Sequence, residues 1–320
     1  MRLRRCGLAV LAIALAASAS AQVGPDPQPP PISTAASPVL ELRLNDGSVI
    51  YGRVEQETAE RLVFRTITGG LVEVTRAQII SIAPARGRVV EGQFWRADPN
   101  ATRLFFAPTG RSLEKGTGYI GVFEILLPFV QVGVTDRLTV GAGTPLVFFG
   151  DESGRPVWVT PKYQVYRGDR TSAAVGVMHF FVVGESSRVG LAYTVATTGT
   201  EDSAVSVGAG WAYARYREDD SSGCPVRPPG SPGPPIPCTP ERSTEVAGSP
   251  VLMVGGERRL SRHVKLITEN YGFEDGGVVS IGVRFLGERL SADLGVFAPI
   301  TGEDTFVLLP IVNFVWTFGR

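Results

Sequence analysis

The stretch GVRFLGERLSADLGV, residues 282–296, alternates apolar and polar side chains on both sides of a short charged break. Successive side chains of a β-strand point to opposite faces, so the alternation predicts two strands joined by a turn at 288–289. One face carries Val283, Phe285, Leu290, Ala292, Leu294 and Val296. The other carries Gly282, Arg284, Ser291, Asp293 and Gly295. The polar face meets bulk water in a soluble sandwich, or a closed lumen in a membrane barrel.

The same pattern extends over the chain from Tyr119 to the end, and helical periodicity is absent there. About twelve strands are predicted. They cover residues 117–124, 129–134, 137–147, 156–166, 172–183, 188–197, 203–216, 248–258, 263–271, 277–286, 290–298 and 305–318.

The breaks between these strands alternate in kind. One set is short: 135–137, 168–170, 198–202, 261–262 and 288–289. The other set is longer or rich in glycine and acidic residues: 149–155, 184–188, 217–243, 272–277 and 300–304, with a short exception at 126–128. Bacterial outer-membrane barrels have short periplasmic turns, longer external loops and an even number of strands. The sequence therefore predicts an all-β fold, an antiparallel transmembrane β-barrel of about 12 strands, with a secreted soluble β-sandwich binding module as the alternative.

The two faces of the predicted strands differ in polarity. The predicted outward stripe comprises Val130, Val132, Val134, Leu138, Val140, Val157, Val159, Val189, Leu191, Val205, Val207, Val279, Ile281, Phe314 and Trp316. The predicted lumen face is small and polar, including Gln131, Thr139, Thr160, Lys162, Gln164, Gly190, Ser206, Gly208, Arg284, Asp293 and Asn313. This predicts a watery, crowded lumen. Pro161 and Pro310 each remove a hydrogen-bond donor from a predicted strand, so bulges are expected at both.

The N-terminal 21 residues, MRLRRCGLAVLAIALAASASA, have the layout of a secretory signal peptide, with predicted cleavage after Ala21. Residues 22–38 form a predicted proline-rich linker. Cys224 and Cys238 remain after cleavage, and in an exported chain they are predicted to form a disulfide. Basic and acidic residues are equal in number, 31 each, which argues against a nucleic-acid partner.

Residues 39–83 predict five short strands, with turns at Asn45-Asp46-Gly47 and Gly69-Gly70. From Leu42 through Ile82 the segment resembles the SH3-like or Sm-like modules found at the front of many exported bacterial proteins. The resemblance implies a small, strongly bent β-barrel in the periplasm, with a periplasmic protein or a cell-wall ligand as its possible partner. Residues 84–116 are predicted to connect this module to the barrel at 117–320.

The segments RLFFAPTGRSLEKGTGY (103–119), FVQVGVTDRLTVGAG (129–143) and residues 282–296 resemble strands and turns of bacterial outer-membrane β-barrel proteins of uncharacterised function. The resemblance implies a location in the cell outer membrane, in contact with outer-membrane lipid. It implies no activity, cofactor or oligomeric state.

Catalytic and metal-binding motifs are missing from the sequence, and it contains two histidines, His179 and His263. A non-enzyme without a cofactor or metal is therefore predicted. A twelve-stranded outer-membrane phospholipase uses His and Ser on its outer wall, so a lipid hydrolase that uses His179 is kept as an alternative.

The predicted lumen charges are Lys162, Lys265, Arg284 and Asp293. With a tight turn at 288–289, Arg284 faces Asp293 across the hairpin, either directly or on the diagonal, and Lys265 can join them from the preceding strand. Such a cluster either constricts a pore or forms a network that closes the barrel. The sequence therefore predicts a small porin-like pore or a structural envelope scaffold, and leaves these two open.

Overall fold

The computed structural model describes residues 38–146, 155–182, 188–220, 241–300 and 307–319. The predicted signal peptide with its cleavage site at Ala21, nearly all of the linker, and the cysteines Cys224 and Cys238 lie outside these residues. Within the described ranges no helix is long and apolar enough to cross a membrane.

A five-stranded antiparallel sheet comes first in the chain. Its strands are β1 (Leu40–Leu44), β2 (Val49–Glu57), β3 (Arg61–Thr66), β4 (Leu71–Thr75) and β5 (Ile79–Pro84). They lie in the order β4-β3-β2-β1-β5, and a 3-10 turn, Arg76–Gln78, precedes β5. Leu42, Leu62 and Phe64 form the centre of its apolar core. The prediction of five short strands is confirmed, including the turn at Gly47, whose φ of 87° favours glycine.

A short hairpin, β6 (Gly87–Val90) and β7 (Gln93–Arg96), follows this sheet. The strands of the large sheet are β8 (Gly118–Phe123), β9 (Leu127–Gly133), β10 (Leu138–Gly143), β11 (Pro156–Val159), β12 (Lys162–Arg167), β13 (Thr171–Val182), β14 (Arg188–Gly199), β15 (Ser203–Asp220), β16 (Glu241–Arg259), β17 (Val264–Phe273), β18 (Gly276–Leu286), β19 (Leu290–Ile300) and β20 (Leu309–Phe318).

The large sheet closes on itself. Strand β8 pairs with β9 on one side and with β20 on the other, and every neighbouring pair is antiparallel. Strands β11 and β12 both lie between β10 and β13, so they are two halves of one strand. The described residues therefore form a closed barrel of twelve strands, which confirms the predicted fold and excludes a two-sheet sandwich.

The two predicted strand prolines behave differently. Pro161 lies in the break between β11 and β12, so the interruption expected there is present. The bulge expected at Pro310 is absent, because the pairing of β19 with β20 runs through Val296 and Pro310 without a register shift. Pairing of β20 with β8 begins only at Asn313, so the missing donor of Pro310 leaves no gap in that ladder.

The barrel has two different ends. At the turn end, short connections join consecutive strands, and the first residue of β8 and the last of β20 lie there. The connections of the turn end are 134–137, 168–170, 200–202, 260–263 and 287–289. The opposite end is called the loop end. The predicted short breaks are confirmed. Of the predicted loop-end breaks, 272–277 is reduced to the two-residue connection 274–275, because β17 and β18 extend into it, and residues 149–154, 184–187, 221–240 and 301–304 lie outside the described residues.

In the hairpin of residues 282–296, β18 and β19 pair directly, which is one of the two registers that the sequence left open. Arg284 lies opposite Asp293, Phe285 opposite Ala292, and Val283 opposite Leu294. Arg284 and Asp293 are buried in the lumen, while Phe285 and Leu294 are exposed on the outside.

The predicted faces of β14 are wrong. Val189 and Leu191 share the parity of Val195, which is buried in the lumen, so they point inward, and Gly190 points outward. The physical reason is that β14 alternates large and small residues in this stretch rather than apolar and polar ones. Polarity therefore carries no information about which of its faces is inside.

Closure of the barrel can be tested by a disulfide between β8 and β20. Ile120 lies opposite Trp316, and both are exposed on the outside. Directly opposed residues have Cα atoms about 4.5–5.5 Å apart, within the range of a disulfide. In a background with Cys224→Ser and Cys238→Ser, Ile120→Cys with Trp316→Cys is expected to cross-link, shown by altered non-reducing gel mobility. Ile120→Cys with Ile281→Cys is the control, and cross-linking of that pair instead would contradict the closed order.

Candidate functional site

A chain segment fills the turn-end half of the lumen. Residues 98–113, here called the plug, form a hairpin in which Leu104 N donates to Ala107 O at 2.9 Å and Thr109 N donates to Thr102 O at 3.0 Å. Leu104 and Phe105 at its tip are fully buried and pack against lumen-facing residues of the barrel. Residues 84–116, predicted as a connector, therefore include the plug that occupies the lumen.

Two glycines allow the plug to approach the strands closely. A side chain at Gly255 of β16 would collide with the Leu104 side chain, and one at Gly110 would collide with the backbone of Ser172. Because glycine has no Cβ, it permits this close packing between a strand and the inserted hairpin.

Buried ion pairs join the plug to β16 and β17. Asp98 of the plug pairs with Lys265, whose Nζ also lies 2.9 Å from Glu257 Oε2. Glu257 Oε1 is 2.6 Å from Arg111 Nη1, and Arg111 belongs to the returning arm of the plug. Asp98, Lys265 and Glu257 are all buried, so each charge depends on its partner rather than on water.

A second group of ion pairs joins the plug to β18 and β19. Arg284 Nε and Nη2 lie 2.6 and 3.1 Å from the two carboxylate oxygens of Asp293, a two-point contact. Arg103 of the plug binds the same carboxylate, with its Nη1 3.0 Å from Asp293 Oδ2. Arg284 Nη1 also lies 3.6 Å from Asp98 Oδ2, which connects this group to Lys265.

The seven charges form one chain of alternating sign. Its order is Arg111, Glu257, Lys265, Asp98, Arg284, Asp293 and Arg103. The plug and the barrel both contribute to it, and we call these residues the ion-pair chain. All of its residues except the half-buried Arg111 are buried, so the chain fixes the plug by charge as well as by shape.

Cationic side chains of the barrel also bind backbone oxygens of the plug. Arg284 donates to Leu104 O at 2.6 Å and to Asn100 O at 3.1 Å. On the other side of the lumen, Lys162 Nζ donates to Arg111 O at 2.6 Å and to Thr109 O at 3.2 Å. These bonds satisfy carbonyl groups that would otherwise be buried without partners.

One carboxylate holds the tip of the plug. Glu269 Oε2 accepts hydrogen bonds from Phe106 N and Ala107 N, both at 3.0 Å. Its Oε1 accepts a hydrogen bond from Tyr271 Oη at 2.6 Å. Glu269 is therefore fully engaged by the plug and by its own strand.

All four residues of the predicted lumen cluster lie inside the barrel, but they do not form one cluster. Lys265, Arg284 and Asp293 belong to the ion-pair chain, whereas Lys162 lies apart and contacts plug carbonyl groups. Sequence reasoning missed the partners on the plug, Asp98 and Arg103. It also missed Glu257 and Glu269. Both alternate with outward apolar residues along their strands, and this pattern predicts that they face the lumen.

His179, the residue of the lipid-hydrolase alternative, lies on the outward face of β13. Its Nδ1 is 2.7 Å from Tyr213 Oη, and its ring packs beside Phe181. This His–Tyr pair differs from the Ser–His pair that such an enzyme would use. His263 lies at the turn end, with Nδ1 3.2 Å from Leu286 O.

The five-stranded sheet and the β6–β7 hairpin contact the turn end of the barrel. Glu288, in the turn between β18 and β19, pairs with Arg43 of β1 and lies 3.3 Å from Arg96 of β7. Arg88 of β6 pairs with Asp202 of the β14–β15 turn at 2.6 Å. The N-terminal sheet is thus held at the end through which the plug enters.

No protein-family model matches the chain, and no curated protein matches it. Solved structures with some likeness to it include the NanC porin, at 9% identity and a TM-score of 0.38, covering 63% of this chain and 97% of that one. The KdgM porin in complex with disordered oligogalacturonate has 7% identity and a TM-score of 0.41, covering 63% and 98%. OmpF of Salmonella typhi in complex with daunomycin has 10% identity and a TM-score of 0.29, covering 88% and 95%. At these values the likenesses carry no argument, and the barrel rests on the strand pairing described above.

The ion-pair chain can be tested by removing one charge from it. Asp293→Asn leaves Arg284 and Arg103 buried without their shared anion, and breaking a buried pair in this way typically costs about 3–5 kcal/mol. We expect the free energy of unfolding to fall by that amount, measured by urea titration of the refolded protein in detergent. Arg258→Gln, at an exposed site on β16, is the control, with an expected change within about 0.5 kcal/mol. Equal effects of the two substitutions would contradict the assigned network.

Proposed function

We propose that this chain is an outer-membrane β-barrel closed by its own plug, and that it acts as an envelope scaffold that holds its N-terminal sheet at the periplasmic surface. The observation that carries the proposal is the ion-pair chain, which locks residues 98–113 across the lumen. A pore needs a continuous watery path, and in this structure the turn-end half of that path is occupied by packed protein. In this function the barrel is an anchor and catalyses no reaction.

The outward side chains support a membrane location. Large apolar residues stand on the outside of strands all around the barrel, where water contact is unfavourable and lipid contact is favourable. They include Val207, Trp211, Leu252, Val254, Ile281 and Trp316, each about half exposed. A secreted soluble protein would rarely expose so large an apolar surface.

The orientation follows from the two ends. Short turns face the periplasm in outer-membrane barrels, so the turn end and the attached N-terminal sheet are assigned to the periplasmic side. The strand order of that sheet and the 3-10 turn before β5 support the SH3-like or Sm-like relationship. A periplasmic protein or a cell-wall polymer is the proposed partner of this module.

Electrical recording in planar bilayers tests the closed lumen. The full-length mature protein is expected to give no stepwise conductance. Replacing residues 98–113 with a glycine–serine segment of equal length should produce conductance steps, because the ion-pair chain and the tip contacts are lost. The retained pairs Arg284–Asp293 and Lys265–Glu257 lie within the barrel wall, so the emptied barrel is still expected to fold.

The matched control is Glu91→Ser in the β6–β7 turn, which leaves the plug unchanged and should stay silent. A heat-modifiable gel shift shows that each variant is folded. Stable conductance steps from the unaltered protein would favour the pore over the scaffold. Silence from the folded plug replacement would show that the plug does not close the barrel.

Cysteine labelling on intact cells tests the location and orientation. With Cys224→Ser and Cys238→Ser as background, Asp275→Cys places a thiol at the loop end and Thr135→Cys places one at the turn end. A membrane-impermeant maleimide is expected to label the Asp275→Cys protein on intact cells and the Thr135→Cys protein only after lysis. Labelling of Thr135→Cys on intact cells would contradict the orientation.

A further inference from the structure

The lumen has two chemically different halves. The turn-end half is charged and is packed with the plug, as described above. In the loop-end half, the inward residues of β13 to β17 are apolar rather than small and polar. They include Met178, Leu191, Tyr193, Val251, Met253 and Tyr271. The watery lumen predicted from the sequence is therefore absent from this side of the barrel.

The apolar half contains two adjoining cavities above the plug tip. One has a volume of about 170 Å³ and lies between Phe106, Leu191 and Met253. The other, about 210 Å³, lies between Phe106, Phe297 and Ile311. Phe106 and Tyr271 border both, so we treat them as one feature, the apolar bowl.

The lining of the apolar bowl includes no cation, and its polar members are concentrated at the second cavity, where Glu269 and Ser280 lie. Both carboxylate oxygens of Glu269 are already bonded to Phe106, Ala107 and Tyr271. A charged ligand would lose its hydration there without gaining a counter-charge, which is strongly unfavourable. An uncharged apolar ligand loses only unfavourable contact with water.

We propose that the apolar bowl is a binding site for a small uncharged apolar molecule of the size of a single aromatic ring. An enclosed apolar cavity of about 150 Å³ binds benzene, and each half of the bowl, although open on one side, reaches that size. The rings of Phe106 and Tyr271 offer edge and face contacts to an aromatic ligand. Met178 and Met253 supply adaptable, polarizable side chains around it. The site goes beyond the scaffold function and does not require passage through the barrel.

The two methionines provide a direct readout. The chain contains Met1, Met178 and Met253, so protein labelled with ¹³C at the methionine methyl groups reports on both methionines of the bowl. Titration of the full-length mature protein in lipid nanodiscs with toluene is expected to shift both signals along one saturable curve. Benzoate, of similar shape but charged, is expected to shift neither. Single substitutions Met178→Leu and Met253→Leu assign the signals.

Gly208→Leu is the variant that should fill the site. A Cβ at Gly208 would lie 3.1 Å from Thr194 O and 3.3 Å from the flexible end of Met253, so the added side chain extends into the bowl beside Met253. We expect its toluene affinity to fall at least about tenfold, because an occupied cavity offers no room for the ring. Val207→Leu, next in sequence but pointing outward, is the matched control and should bind like the unaltered protein.

A second filling variant, Leu191→Phe, covers the case in which Gly208→Leu does not fold, as judged by its gel shift. Non-saturating shifts, equal shifts with benzoate, or unchanged affinity in the folded filling variants would each overturn the proposal. None of these outcomes depends on conductance, so the site and the scaffold function can fail separately.

Discussion

Two buried cations face each other across neighbouring strands, and the rest of the lumen is arranged around them. Lys265 of β17 lies directly opposite Arg284 of β18. Like charges in that position repel each other, and burial strengthens the repulsion. Asp98 of the plug contacts both cations and neutralises the repulsion between them. The barrel wall and the plug are therefore electrostatically complementary.

The division of the lumen into a charged turn-end half and an apolar loop-end half follows from the length of the plug. The hairpin reaches only as far as Phe106, where Glu269 binds its tip, and the plug occupies the lumen from there toward the turn end. Beyond the tip no polar segment of the described chain enters, and the strands there carry apolar side chains inward. Charged residues are thus confined to the depth at which partners exist, as the cost of burying unpaired charge requires.

The sequence predicts the barrel fold much more completely than it predicts the plug inside the lumen. Alternation determines which residues share a face, so it places Arg284 and Asp293 together on the lumen side, whereas their direct pairing is seen only in the structure. Alternation does not show what lies against a face, and the plug has no strand period of its own. For that reason the sequence pattern places Asp98 and Arg103 in a connector. On β14, Val189 and Leu191 alternate with glycine and alanine, so the pattern predicts an outward apolar face where the structure has these two side chains facing the lumen.

Withdrawal of the plug would leave some lumen charges paired within the barrel wall and would remove the partners of others. Arg284 with Asp293, and Lys265 with Glu257, would keep partners on adjacent strands. Lys162 would lose the carbonyl oxygens of Thr102, Thr109 and Arg111, and Lys265 would again face Arg284 without an anion between them. Water entering the lumen could solvate these cations, but it would also have to enter the apolar bowl, where it gains few hydrogen bonds. The closed state is therefore favoured by both halves of the lumen, by charge pairing at the turn end and by the exclusion of water at the loop end.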